Sequence, residues 1–179
     1  MSGIFRMDLT KHGSRLTGLG CILAALLSLL LVLPVRAQGT LLTVTREHSL
    51  LGTFSLAKLE AVGAVTITLE DDAGQSSEYT GVPIADLLQA VGVPLAKSMR
   101  GDRLAEFMMI HAADGYRVLF SLAEVDPMFR ERPLLICYRK NGAALPDEEG
   151  PLRVVVADEK RHARWVRQVT AIELGKIRQ

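Results

Sequence analysis

A run of twenty uncharged, leucine-rich residues near the N-terminus constrains this chain more than any other feature. The run extends from Leu16 to Val35, and small residues at Val35 and Ala37 suit the −3 and −1 positions of a cleavage site before Gln38. The residues that precede the run include the bases Arg6, Lys11 and Arg15. Basic, apolar and small-residue regions in this order are typical of a secretory signal peptide. We therefore expect cleavage after Ala37 and a periplasmic location.

The same run also permits a second interpretation. Twenty uncharged residues are long enough to span a bilayer, so a membrane anchor at residues 16–35 is the alternative to cleavage. Cys21 begins the densest part of the apolar run (Cys21–Leu33) rather than following the run, which disfavours a lipoprotein signal. We expect residues 1–37 to be a signal peptide and residues 38–179 to form a single domain.

The charge of the expected domain differs from that of the whole chain. The chain has 179 residues and a formal net charge of +1, but residues 38–179 hold 17 bases and 19 acids, a net charge of −2. This balance gives no reason to propose a nucleic-acid partner. The last thirty residues nevertheless hold seven bases and three acids, so positive charge is concentrated near the C-terminus.

Apolar patterning and turn residues predict an α+β fold with mixed or antiparallel sheets and short helices. Turns are predicted at 113–115 and 141–142, loops at 71–77 and 145–151, and one capped helical turn at 121–125. The predicted helices cover 55–63 and 82–93. The predicted strands cover 41–47, 64–70, 105–112, 116–120, 134–140, 152–158 and 166–174.

Common catalytic and metal-binding motifs are absent from the sequence. It contains no zinc-ligand spacing, phosphate-binding loop or nucleophile elbow, and the carboxylate pair Glu148–Glu149 is typical of solvated surface. The histidines after residue 37 (His48, His111 and His162) are widely spaced, which favours structural roles. Cys137, the one cysteine of residues 38–179, lies in an apolar run and is expected to be a buried thiol rather than a metal ligand or nucleophile.

The segment 157–165 is the most unusual part of the expected domain. It holds two acids, three bases, one histidine and the only tryptophan of the chain, Trp165. Trp165 can stack on a planar ligand, and a neighbouring arginine can bind an anion or a carbonyl. From the residues alone, the other interpretation is that Trp165 belongs to the core and the bases form a solvated face.

Four segments in the same order resemble the molybdopterin-binding domain of the sulfite-oxidase fold. They are Tyr79–Leu88 (YTGVPIADLL), Leu134–Pro146 with its Asn-Gly turn, Gly150–Val156 (GPLRVVV) and Arg164–Val166 (RWV). The resemblance extends over about residues 65–179 and, more loosely, over the whole of residues 38–179. It also implies a pterin-containing ligand, either a reduced pterin or the molybdopterin cofactor.

The sequence departs from the enzymes of that family at one position. They supply a cysteine thiolate to molybdenum from the loop after the strand equivalent to 64–70, and Leu69–Gly74 contains no cysteine here. The chain is similar instead to a short, exported, cysteine-less subset of pterin-binding receptors. That resemblance implies a partner, the periplasmic domain of a membrane-bound cyclic-di-GMP synthase/phosphodiesterase whose activity the pterin-loaded protein biases. It implies no catalytic residue and no protein-bound metal.

The family motif also indicates which residues contact the ligand. Trp165 is expected to stack on the pterin, Arg164 to lie in the same loop and Arg153 to support that loop. Further candidates are Asp114, Tyr116, Arg161 and His162. Asp114 can instead be a turn former, and Arg153 can form a structural salt bridge.

These observations support three hypotheses about function. The first is a non-catalytic pterin-binding protein that reports ligand state to a signalling partner through a population shift of the segment 157–165. The second is a small molybdenum-cofactor oxidoreductase, or a subunit of one, with a non-cysteine ligand. The third is a structural interaction domain whose pocket has decayed.

Overall fold

The computed structural model describes residues 39–70 and 74–177, so the predicted signal peptide lies outside the described residues. Residues 38–179 form one compact unit. Across the described ranges, no helix has the length and apolar character needed to cross a membrane.

The described residues form ten strands, two α-helices and several short 3-10 helices, which confirms the α+β class. The strands are β1 (Leu42–Arg46), β2 (Ser49–Phe54), β3 (Val65–Glu70), β4 (Ser76–Pro83), β5 (Glu106–Ala112), β6 (Arg117–Ser121), β7 (Leu134–Lys140), β8 (Ala143–Ala144), β9 (Arg153–Val156) and β10 (Val169–Lys176). The α-helices are α1 (Leu56–Val62) and α2 (Ile84–Ala90). The 3-10 helices are Ala96–Ser98, Gly101–Ala105, Leu122–Val125 and His162–Arg164.

The strands form two sheets. The first sheet has the order β2-β1-β10-β5-β6, and its β1–β10 pair is parallel whereas its other pairs are antiparallel. The second sheet has the order β3-β4-β7-β8 with β9 also paired to β7, and it is antiparallel throughout. A single cluster of buried side chains draws on both sheets and both helices, so they share one core.

Local sequence explains several element ends. The Ser55 hydroxyl accepts a hydrogen bond from the Lys58 amide and caps α1, which stops at Gly63 with φ of 130°. Ser121 and Glu124 form a capping box on the 3-10 helix Leu122–Val125. The predicted turn at 113–115 is present, because Gly115 takes a positive φ of 87° between β5 and β6.

The central strand β7 explains why the segment 134–138 is apolar without alternation. All five residues are buried, as expected for a strand covered on both faces. Gly81 of β4 faces this strand so closely that a Cβ atom would lie 2.3 Å from the Ile136 carbonyl oxygen. The register between β4 and β7 shifts at Thr80/Gly81. A glycine is therefore required at this position.

Some predicted ends of helices, strands and loops are wrong, because strand pairing between distant segments decides where these elements begin. The predicted loop 71–77 fails from Ser76 onward, because Ser76–Pro83 pairs with β3 and β7; residues 71–73 lie outside the described residues. The predicted helix 82–93 therefore begins only at Ile84. The strand Ser49–Phe54 has no predicted counterpart. The last strand begins at Val169 rather than 166, because Gln168 has a φ of 50°.

Candidate ligand-binding cleft

A cleft of about 570 Å³ lies where the β5–β6 hairpin meets the segment between β9 and β10. Its volume is in the range of ligand pockets. The lining residues are Ala112, Asp114, Tyr116, Glu148, His162, Ala163, Trp165, Val166, Arg167 and Gln168. Four of the sequence-predicted residues (Asp114, Tyr116, His162 and Trp165) therefore meet in one cleft.

Gln168 joins three chain segments at the floor of this region. Its amide donates to the Glu149 carbonyl (2.9 Å), and its own carbonyl accepts from the Ala113 amide (2.9 Å). Its side-chain amide donates to the Asp147 carbonyl (2.9 Å). These bonds hold the residue in the left-handed conformation, which non-glycine residues rarely adopt, so the surrounding segments fix its backbone.

Tyr116 closes one side of the cleft. Its amide donates to the Asp114 carboxylate (2.8 Å), which fixes the tip of the hairpin. Its phenol donates to the Ala163 carbonyl (2.9 Å), which ties the hairpin to the segment 157–165. The side chain is half-exposed.

Removing the Tyr116 hydroxyl is expected to loosen the segment 157–165. In a Tyr116→Phe variant, loss of a hydrogen bond that contributes about 0.5–1.5 kcal/mol should increase local opening about two- to tenfold. Limited trypsin digestion reports this opening as faster cleavage after Lys160 and Arg161. The global unfolding midpoint should change little. An unchanged cleavage rate would contradict a latching role for Tyr116.

Trp165 is buried and belongs to the core cluster, although it also lines the cleft. Its indole N–H donates to the Val156 carbonyl (3.0 Å), and the Tyr79 ring meets it edge-on at 5.6 Å. The imidazole of His162 stacks on it, with ring centroids 3.8 Å apart and planes 21° apart. Trp165 is therefore a core residue, as one interpretation of the sequence holds, and it also forms part of the cleft lining, as the other holds.

Arg153 does not line the cleft but packs against Trp165, which does. Its guanidinium is 5.3 Å from the Trp165 ring centroid and 5.9 Å from that of Tyr79, within cation–π range. It forms an ion pair with Glu149, and the side chains are 12% and 18% exposed. The interpretation of the Glu148–Glu149 pair as solvated surface is therefore wrong for Glu149, because β9 brings Arg153 against it.

Arg164 does not line this cleft but lines a second one, together with Glu124 and Glu159. It forms ion pairs with Glu159 and, at 3.1 Å, with Glu124, and its guanidinium lies 4.5 Å from the Phe120 ring centroid. Burial lowers the pKa of Arg164, but hydrogen bonds to Glu159 and Glu124 outweigh it and leave the pKa above its ordinary value. Arg161, the remaining predicted residue, is exposed and precedes the 3-10 helix.

Three polar residues of the lining are not predicted as site residues from the sequence: Glu148, Arg167 and Gln168. Glu148 is visible as one half of an acidic pair, but its position depends on the loop that follows β8. Gln168 is placed by its backbone conformation, which no residue type signals. Arg167 has no ion-pair or hydrogen-bond partner among the described residues, in contrast to Arg153 and Arg164.

Cys137 is unsuited to metal binding. It is fully buried in β7, and burial raises the pKa of its thiol far above the ordinary value although Arg153 opposes the shift. Metal ligation requires the thiolate. In the described ranges, no group of three or more histidine, cysteine or acidic side chains is arranged to hold a metal ion. His111, for example, pairs with Glu173 at 3.0 Å on the first sheet.

The protected thiol gives a direct expectation. Cys137 should not react with a thiol reagent at pH 8 while the protein is folded, and it should react fully after unfolding in guanidinium chloride. Colorimetric titration with Ellman's reagent on the protein cleaved after Ala37 measures both states, because that protein contains no other cysteine. Rapid labelling of the folded protein would contradict the burial.

Comparisons with known proteins identify the family. The family model described as "Oxidoreductase molybdopterin binding domain" matches residues 44–178. Among solved structures, the chain is similar to the sulfane dehydrogenase SoxCD from Paracoccus pantotrophus, with 19% sequence identity and a TM-score of 0.57. That alignment covers 77% of this chain and 38% of the SoxCD chain, so this chain spans less than half the length of its solved relative. No curated protein sequence matches.

The likeness to SoxCD concerns the fold alone. Together with the two-sheet architecture, it confirms the expected sulfite-oxidase-like fold. The family match covers most of the chain and confirms the superfamily predicted from the four sequence segments. This protein belongs to the oxidoreductase molybdopterin-binding domain family.

Proposed function

We propose that this protein binds a reduced pterin in the cleft and acts as a ligand-responsive binding protein rather than a redox enzyme. The observation that carries the proposal is a formed cleft in a domain whose described residues include no accessible thiol. Cys137 is fully buried, and the chain's other cysteine, Cys21, precedes the predicted cleavage site.

The molybdenum-containing cofactor implied by the family can be tested against these residues in two parts. The metal part does not fit the described residues, because the family's thiolate ligand has no counterpart in an accessible position and no other ligand cluster is present. The pterin part of the cofactor fits the cleft better than the metal does. The cleft combines an aromatic platform, carboxylates and a guanidinium.

The polar groups of the cleft complement a pterin. Its amino and ring N–H groups require acceptors, which Asp114 and Glu148 can supply, and its carbonyl requires a donor, which Arg167 can supply. The ring face requires a flat apolar surface, and the His162–Trp165 pair is the stacked aromatic pair of this cleft.

A route from the cleft to a partner is available through the segment 157–165. Tyr116 bonds to Ala163 on the cleft side, and Arg164 pairs with Glu124 on the other side. Near Glu124, Met128 and Phe129 are exposed. A pterin that favours one conformation of this segment would shift the population of surfaces presented there. We propose the periplasmic domain of a membrane-bound cyclic-di-GMP synthase/phosphodiesterase as the partner.

Location belongs to the same proposal. Export with cleavage after Ala37 would put the pterin-binding domain in the periplasm, where such a receptor domain lies. Retention of residues 16–35 as an anchor would keep it at the membrane surface. N-terminal sequencing of protein recovered from a periplasmic extract distinguishes a chain that begins at Gln38 from an uncleaved one.

The second candidate function is a molybdenum-dependent oxidoreductase or a subunit of one. It is favoured by the family match and by the fold of SoxCD, which is named as a sulfane dehydrogenase. It requires a molybdenum ligand other than cysteine. A structural interaction domain with a decayed pocket is the third.

Titration of ligand-free protein with tetrahydrobiopterin under anaerobic conditions tests pterin binding. We expect saturable binding of one equivalent by calorimetry, and weaker binding by a Glu148→Ala/Arg167→Ala double variant. An Arg132→Ala variant, altered at an exposed residue that does not line the cleft, serves as the control. Absence of binding by the wild-type protein would favour the third function.

A further inference from the structure

The Trp165 indole is held by the protein on several sides. Tyr79 contacts it edge-on, its N–H is bonded to the Val156 carbonyl, and the Arg153 guanidinium lies 5.3 Å from the ring centroid. One near-parallel ring contact remains, and it is made by His162. Among the described residues, His162 is thus the one aromatic ring stacked on this indole, and the Arg153 guanidinium also lies over the ring.

His162 covers part of Trp165 at the cleft wall. Both residues line the cleft, yet Trp165 is only 4% exposed. The imidazole and indole centroids are 3.8 Å apart and the ring planes are 21° apart, so the two rings are stacked. It is carried by a three-residue 3-10 helix at the cleft wall. A planar heterocycle belonging to the protein therefore occupies the surface on which a planar ligand would stack.

We propose that His162 is a gatekeeper that competes with the ligand for the face of Trp165 and sets the affinity and the minimum ring size of the ligand. The inference rests on the proposed pterin-binding function. A fused bicycle covers more of the indole than an imidazole does, so replacing one by the other gains stacking area. A single small ring would not gain enough area to displace His162, and the site thereby selects fused planar heterocycles.

The proposal predicts opposite effects for two substitutions. His162→Ala removes the competitor, so the affinity for tetrahydrobiopterin should rise about two- to tenfold, the range expected for loss of one aromatic pair. His162→Phe retains a stacking ring, so the affinity should stay at or below the wild-type value. The control is His48→Asn, a change at an exposed histidine in the turn between β1 and β2 that should leave the affinity unaltered.

Fluorescence of Trp165 provides a readout that needs no ligand. Because the chain contains one tryptophan, acrylamide quenching reports this side chain alone. Quenching should increase in His162→Ala and should be unchanged in His48→Asn. Thermal unfolding of each variant, followed by circular dichroism, verifies that the fold is retained.

The outcomes separate this inference from the proposed function. Tighter binding and greater quenching in His162→Ala support the gatekeeper. Weaker binding by that variant, with wild-type binding intact, would mean that His162 contacts the ligand and would overturn the gatekeeper while leaving pterin binding in place. If neither protein binds tetrahydrobiopterin, the proposed function fails and the gatekeeper fails with it. Unchanged acrylamide quenching of Trp165 in the His162→Ala variant would also overturn the gatekeeper proposal.

Discussion

Replacing Trp165 by alanine is expected to lower the free energy of unfolding by about 3–5 kcal/mol, the range for truncating a large buried aromatic side chain. The indole is 4% exposed, packs edge-on against Tyr79 and donates to the Val156 carbonyl. The substitution leaves a cavity and removes the indole donor from the Val156 carbonyl, which also accepts from the Glu159 amide at 3.4 Å. Urea denaturation followed by circular dichroism measures the loss.

A conservative variant separates packing from hydrogen bonding. Trp165→Phe keeps a ring against Tyr79 but loses the N–H donor, so we expect a smaller loss of about 1–2 kcal/mol. Leu50→Ala is a matched control, because Leu50 is 63% exposed and its truncation should cost little. A Trp165→Ala variant as stable as the wild type would show that the indole is not part of the core.

The second large effect is expected at Arg153. An Arg153→Ala variant leaves Glu149 largely buried without its partner, and breaking a buried ion pair in this way costs about 3–5 kcal/mol. The guanidinium also packs against the Trp165 and Tyr79 rings, so its removal loosens the floor beneath the cleft. Urea denaturation of the variant and the wild type gives the difference in stability.

Replacing both Arg153 and Glu149 tests whether the loss of stability comes from leaving a buried charge without its partner. An Arg153→Met/Glu149→Gln double variant removes both charges and retains most of the volume, so it should recover most of the lost stability. An Arg139→Ala variant is the control, because its pair with Glu60 is about 40% exposed on both sides and should contribute little. If Arg153→Ala is no more destabilising than Arg139→Ala, the pair is solvated and the burial argument is wrong.

Local chemistry made much of the fold predictable from the sequence. Ser55 and Gly63 delimit α1, the Asp114–Gly115 pair forms the hairpin turn, and the apolar run of β7 is buried. Each of these signals depends on neighbouring residues, so no tertiary information is needed to read it. The strand β4 was not predictable in this way. Its polar start at Ser76 is extended because it pairs with β3.

The candidate site was predictable only in part, because its geometry depends on distant segments. Trp165, His162, Tyr116 and Asp114 line one cleft, but nothing in the sequence shows that His162 stacks on Trp165. Arg164 is adjacent in sequence but pairs with Glu124 and lines a different cleft. Adjacent residues on a short 3-10 helix face different directions, and sequence spacing does not reveal which one faces the cleft.

The identity of the bound species decides between a pterin-binding protein and a molybdenum enzyme. Protein isolated from a periplasmic extract without added ligand can be assayed for molybdenum by elemental mass spectrometry and for released pterin by fluorescence-detected chromatography. We predict about one equivalent of a pterin that lacks a dithiolene and phosphate, with no stoichiometric molybdenum. Molybdenum near one equivalent, accompanied by the oxidised derivatives of molybdopterin, would contradict the proposed function and establish the enzyme in its place.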